Sequence, residues 1–375
     1  MSFIITLLAA VFVFSAVIAI HEFGHFAVAK LCGVQVNEFS IGMGPVLLKK
    51  TQNGTQYSLR ALPVGGFVAL EGEESPESQQ AEKGERPDAE PQTPPSCSDA
   101  DGSPDGGAGT EKAPAQPVGK PLNEAAVWQR ALIMAAGAFM NFLLGFVVMV
   151  VLIAAQSEPI TSRVIYDGAL CGQTGLEAGD QVLAVNGRRC FVANDMLYEL
   201  MRTEDYSARF TVLRGGEKVE LPCVRFDTWQ DDSGETHMSL GFTVYGIRKT
   251  PANVVKEAWN SVLYYGRIIF TSLMDLLRGR ESINDLSGPV GIVTAIGQAA
   301  SYGWQDLLQL LVLITVNLGI FNLLPFPALD GGKVVFLLIE GVTGHAVPEK
   351  IQSGLTLAAF ALLFGLMLFA TYNDI

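Results

Sequence analysis

Basic residues, histidine and cysteine are all scarce in this chain. Among 375 residues there are 25 Lys or Arg against 38 Asp or Glu, a formal net charge of -13, which argues against nucleic-acid binding. The five cysteines contain no Cys-x-x-Cys pair, which argues against a cysteine-rich zinc site or a thioredoxin-like motif. Cys171, Cys190 and Cys223 share one segment, an odd set that cannot all pair internally; Cys32 and Cys97 lie elsewhere. Charged residues make up only 17 % of the chain while hydrophobic ones reach 49 %, and mean hydropathy is +0.31, so the chain is not wholly soluble. No Lys or Arg precedes the first apolar run, which argues against a cleaved signal peptide.

Long apolar runs are what the chain does have. The first begins at Ser2 and ends in His21-Glu22-Phe23-Gly24-His25; the others are Ala131 to Ala155, Leu307 to Leu324, and roughly Ser353 to Thr371. Each is near the length that crosses a bilayer, so four spans are expected, with both termini on one side. Lys30, Lys49, Lys50, Arg60, Lys120, Arg130, Lys333 and Lys350 flank them, and the positive-inside rule assigns those connections to the cytoplasm. The termini and the segment from Gln156 to Ser301 then lie outside, with the end of the first span towards the cytoplasmic face.

Ionisable residues inside a span are costly and mark function. On a helix, residues four apart share a face, so His21 and His25 can present imidazole nitrogens to one Zn2+. Glu22 is rotated away from that pair and stays free as a general base towards a water whose pKa the metal lowers to around 7. A third ligand is required. His237 lies in a polar loop or hairpin and His345 in a short connection, which leaves a carboxylate. The run Asn322-Leu323-Leu324-Pro325-Phe326-Pro327-Ala328-Leu329-Asp330-Gly331-Gly332 breaks an apolar segment with two prolines and a glycine pair. Irregular backbone at membrane depth lines polar sites, so Asp330 is the expected third ligand.

These two motifs together, HEFGH and the N-x-x-P-x-P-x-L-D-G pattern from Asn322 to Gly331, resemble the site-two-protease type of intramembrane zinc metalloprotease, nearest to the bacterial regulators of sigma-E. The resemblance implies His21, His25 and Asp330 as zinc ligands and Glu22 as the catalytic acid/base. It also implies that Asn322 helps position or polarise the substrate carbonyl, in keeping with an amide donor aimed at a developing oxyanion. Expected substrates are single-span membrane proteins already shortened by an upstream site-one protease, either anti-sigma-factor-like proteins or remnant signal peptides.

The expected fold is an α-helical polytopic membrane protein of about four transmembrane helices with a cytoplasmic-side β-hairpin or sheet and one inserted extracytoplasmic PDZ domain. Residues 1–30 form the first span, 31–70 a membrane-associated β-loop, and 71–121 a disordered acidic linker rich in Pro, Gly, Ser, Asp and Glu. The β-loop either pairs with an extended substrate at its edge or merely caps the bundle; the resemblance favours substrate handling. Residues 122–156 hold the second span, in which Asn141 is read first as a helix-packing amide and second as a bond to substrate backbone. Residues 157–246 contain Thr174-Gly175-Leu176-Glu177-Ala178-Gly179-Asp180 and Val185-Asn186-Gly187, which resemble a bacterial PDZ signature with Thr174 replacing the usual small residue. Such a domain serves as a gate for trimmed substrates or as a folded spacer. Residues 247–301 form an external amphipathic helix and connection, because Arg267 would stand mid-membrane in a fifth span. Residues 302–375 carry the last two spans. Two rival readings are a PDZ membrane adaptor, which has no need of Glu22 or Asp330, and a metal-site transporter, which predicts inverted repeats that this sequence does not display.

Overall fold

Apolar runs with no internal proline have one way to satisfy their backbone in a bilayer, and here they become helices. The computed structural model describes residues 3–73, 119–166, 175–203, 205–231, 234, 236–280, 282 and 286–374. The first run is α1 (Phe3–Leu31) and the second α2 (Val127–Ala155). Among the described residues four helices are long and apolar enough to cross a membrane: α1, α2, one at Trp304–Leu323 and one at Glu349–Asn373. Their outer faces expose large side chains such as Leu8, Phe12, Phe139, Val147, Leu357 and Phe364, as expected of surfaces that meet lipid. The greater part of the acidic stretch, 74–118, lies outside the described residues.

After α1 the chain forms β1 (Val36–Gln52) and β2 (Thr55–Leu70), an antiparallel pair. The two strands bend and double back. Residues 38–41 pair with 66–69 on one side and with 56–59 on the other, and 55–60 pair in turn with 46–52. Four segments thus lie side by side in the order 66–70, 36–41, 55–60, 46–52. Phe39 stacks against Phe26 of α1 at 5.0 Å between ring centroids, and Val36, Leu70, Leu122 and Ile133 share a buried cluster. The folded-back sheet therefore sits over the end of α1 that carries the histidines.

Beyond α2 an extramembrane domain begins with β3 (Ile160–Ile165), β4 (Gln181–Val185), β5 (Arg188–Arg189) and α3 (Ala193–Met201). It continues through β6 (Ser207–Arg214), β7 (Glu217–Arg225), β8 (Asp227–Gln230), β9 (Thr236–Ser239) and β10 (Val244–Ile247). Its main sheet runs β10-β3-β4-β6-β7, with β5 on β4, and its core holds Leu176, Val182, Met196, Leu200, Phe210 and Val212. The Gly-Asp of the sequence signature has a structural task here. Asp180 is fully buried; burial pushes its carboxyl up, but the Arg214 guanidinium, bonded at 2.7 Å, and the Glu177 amide at 2.9 Å hold it below its ordinary value. Thr174 falls outside the described residues.

Thr250 caps the next helix, α4 (Pro251–Leu277), accepting from the Asn253 amide at 3.2 Å, and Pro251 suits its first turn. Arg267 does not face lipid: it pairs with Asp195 of α3 and bonds the Arg189 carbonyl, while Arg202 pairs with Asp275. These ion pairs dock the extramembrane domain on α4. Because the Asp195 side chain is 0 % exposed, Arg267→Ala should leave a buried carboxylate without its counter-ion. The expected cost is about 3 kcal/mol, read as a lower Tm and faster hydrogen exchange in α3 and α4; an unchanged Tm would show that the pair does not hold the domain.

Three helices and the last span complete the chain: α5 (Pro289–Tyr302), α6 (Trp304–Leu323), α7 (Asp330–Thr343) and α8 (Glu349–Asn373). α2 is the hub, packing on α1, α4, α6 and α7, whereas α8 meets the bundle chiefly through α5. Arg130 at the start of α2 grips Glu340 of α7 with both terminal guanidinium nitrogens, at 3.1 and 2.5 Å.

Candidate metal centre

The histidine pair is placed by α1, one helical turn apart, on the face turned towards α2. There the helices cross closely. A Cβ on Gly24 would stand 2.4 Å from the Ala136 carbonyl oxygen, so only glycine admits this approach. His21 and His25 are each 8 % exposed, and their rings meet edge to face at 4.8 Å.

Asp330 arrives from the far end of the chain. α6 stops at Leu323, the Pro325 and Pro327 segment turns on bonds from Phe326 N to the Leu324 carbonyl and Leu329 N to the Phe326 carbonyl, and α7 starts at Asp330. Gly331 and Gly332 press against that turn so closely that an added Cβ would lie 2.2 Å from the Leu324 oxygen and 2.3 Å from the Phe326 oxygen. The tight turn points the Asp330 carboxylate at the histidines. Its Oδ2 lies 3.2 Å from His21 Nε2 and 3.3 Å from His25 Nε2, and the two Nε2 atoms are 3.2 Å apart.

The donor set fits a zinc ion. His25 Nδ1 lies 2.7 Å from the Ile133 carbonyl, an acceptor, so it carries the proton and Nε2 offers a lone pair. Asp330 Oδ2 is buried and finds no hydrogen-bond donor. Acceptor atoms converging in a buried site repel one another unless a cation lies between them. Their separations of 3.2 to 3.3 Å match the edge, about 3.3 Å, of a tetrahedron with bonds of 2.0–2.1 Å. Among the described residues, His21, His25 and Asp330 form the group of possible ligands whose atoms all lie within 4.8 Å of one another.

The other expected site residues also gather here. Glu22 is half-buried beside the cluster without joining it, and its Cγ lies 3.5 Å from where a Cβ on Gly66 would stand, so the 66–70 edge of the sheet passes the carboxylate. Asn322 is buried, with Nδ2 at 3.4 Å from His21 Nε2. His237 pairs instead with Asp231 at 3.0 Å in the β8–β9 hairpin, and His345 caps the turn after α7 against the Thr343 carbonyl. Two contributors were not assigned from sequence. The Ile133 carbonyl carries no side-chain signal at all, and Gly137 faces the two imidazoles themselves: a Cβ there would lie 2.4 Å from His25 Nε2 and 2.5 Å from His21 Cε1. Its place one turn before Asn141, on the same face of α2, was the available clue.

Comparison with known proteins finds relatives along nearly the whole chain. Residues 9–366 match the profile of peptidase family M50. A relative from Clostridium perfringens is 32 % identical over 98 % of this chain and 97 % of its own length. The zinc metalloprotease RasP of Geobacillus kaustophilus is 30 % identical over 99 % of this chain and 97 % of its own. The regulator of sigma-W protease RasP of Bacillus subtilis is 29 % identical, covering 100 % of this chain and 99 % of its own.

Proposed function

Because this chain belongs to peptidase family M50, and is a membrane zinc metalloprotease, we propose that His21, His25 and Asp330 hold its zinc and that it cleaves transmembrane segments of other proteins within the bilayer. The observation that carries this reading is the convergence of three ligand atoms, two of them on a helix long and apolar enough to span the membrane. A non-proteolytic adaptor or a transporter does not accord with the family.

Zinc in this site supplies Lewis-acid polarisation of a carbonyl oxygen and a lowered pKa for water. Glu22 takes the proton from the attacking water on its carboxylate and delivers it to the nitrogen of the leaving amine as the C–N bond breaks. Asn322 Nδ2, beside His21, donates to the oxygen of the scissile carbonyl as charge develops there. The substrate must be extended to be cut. The 66–70 edge, passing Glu22, is suited to hold an unwound segment through main-chain hydrogen bonds.

The extramembrane domain is read as a single PDZ-like module, on the strength of its Gly-Asp and Asn-Gly signature and its sheet with a flanking helix. It admits substrates already shortened outside. The Bacillus relative is named a regulator of sigma-W protease, in keeping with a role in sigma-factor control. The substrate class is single-span proteins, anti-sigma-factor-like or remnant signal peptides, with an upstream protease making the first cut. The basic flanks favour an orientation with the zinc end of α1 near the cytoplasmic face and both termini and the PDZ-like domain outside. A direct test is to reconstitute the chain in liposomes with a tagged single-span reporter lacking its external domain and map the products by mass spectrometry. Cleavage inside the span is expected; cuts confined to the soluble flanks would overturn the intramembrane reading.

A further inference from the structure

We infer that Asn141 is a positioning residue for the metal site, its side-chain oxygen accepting from His21 Nδ1–H so that His21 Nε2 stays free for the metal. The inference rests on the proposed assignment of His21, His25 and Asp330 as ligands. Asn141 is fully buried in α2, and its amide lies 3.3 Å from His21 Nδ1. The two ends of an amide are alike in size and opposite in hydrogen-bonding sense. With Nδ2 towards the ring, Nδ1 would have to accept, and the ring proton would sit on Nε2, the atom that faces Asp330 and His25. That orientation also leaves Asn141 Oδ1 buried with no hydrogen-bond partner. Turning Oδ1 towards the ring lets it accept the ring proton on Nδ1 and leaves Nδ2 in the position that Oδ1 held. Nδ1–H gains an acceptor, the buried oxygen gains a donor, and Nε2 presents its lone pair to the cluster.

His25 is arranged in the same sense. Its Nδ1–H donates to the Ile133 carbonyl at 2.7 Å, so α2 supplies the acceptor for each imidazole, from positions two turns apart on one face. An acceptor on the outer nitrogen fixes the tautomer, orients the ring and raises the basicity of the nitrogen left for the metal. The packing role of Asn141 belongs to another atom: its backbone carbonyl accepts from Thr315 Oγ1 of α6 at 3.2 Å. Side chain and backbone of the same residue therefore serve separate purposes, and substitution can part them.

The test uses the full chain in detergent, with zinc affinity from chelator competition and the absorption bands of cobalt(II) as readouts that do not depend on activity. Asn141→Asp keeps an acceptor and cannot donate; Asn141→Leu has similar size and does neither. Native affinity or tighter is expected for Asn141→Asp with cobalt bands preserved, against roughly a 10- to 100-fold loss and altered bands for Asn141→Leu. Equal losses in the two variants, or native affinity in Asn141→Leu, would overturn the proposal. Should Asn141→Leu not fold, more than a tenfold loss in Asn141→Asp overturns it alone. His21→Ala is the separate control: full zinc affinity retained there would sink the ligand assignment itself, whatever the Asn141 variants do.

Discussion

Glu22→Gln is expected to abolish reporter cleavage while leaving the zinc in place. Glutamine keeps the size of the side chain and removes the carboxylate proposed to receive the proton, so the loss should be at least that of a general acid/base group, about 10²–10⁴-fold. Metal content should not change, because Glu22 stands outside the three-atom cluster of His21, His25 and Asp330. Zinc measured by atomic absorption beside cleavage of the same reporter separates the two effects. If Glu22→Gln released the zinc, the carboxylate would be a ligand; if it cleaved at the native rate, another residue would be moving the proton.

Gly137→Ala should damage the metal site directly, because the added methyl meets both imidazoles. The added Cβ would lie 2.4 Å from His25 Nε2, 2.5 Å from His21 Cε1 and 2.7 Å from His21 Nδ1, well inside contact distance for both rings. The backbone of α2 cannot retreat, because it already touches Gly24 of α1 on one side and Gly319 of α6 on the other. The imidazoles must move instead. A displacement of about 1 Å at reacting groups costs on the order of 10²-fold, and here two of the proposed ligands move together, so zinc affinity and cleavage should fall jointly. Gly145→Ala is the control on the same helix. Its Cβ would meet the ends of the Val316, Thr315 and Val312 side chains, at 3.0, 3.3 and 3.9 Å, and should cost little in zinc affinity. Equal affinity in the native chain and Gly137→Ala would mean that the rings do not occupy the space described.

Much of this protein is local and could be read locally. The spans are set by the length of apolar runs, which needs no knowledge of neighbours, and the four helices found match those runs within a few residues at their ends. The His21 and His25 pair follows from helical spacing alone, and Asp330 from a proline-broken segment in which one carboxylate stands among apolar residues. Arg267, as an unaffordable charge at mid-span, was enough to set α4 apart from the spans, and the structure supplies its partners, Asp195 and Glu199 of α3.

What sequence could not contain is whatever depends on two distant segments meeting. Strand periodicity suggests a hairpin at Val36 to Leu70, but the fold-back into four neighbouring segments, with its edge beside Glu22, is a matter of bends and register. Asn141 read as a packing amide, and its backbone carbonyl does bond Thr315; its side chain's approach to His21 could be found only once α1 and α2 were seen to cross. The Ile133 carbonyl is invisible in any sequence, because every residue has one. The sequence by itself determined which chemistry this chain can carry, since ligand types and their spacing on one helix are local properties. The tertiary structure alone decided that His21 and Asp330, three hundred residues apart, stand 3.2 Å from one another, because that distance is set by glycine-permitted helix crossings and the tight turn before α7.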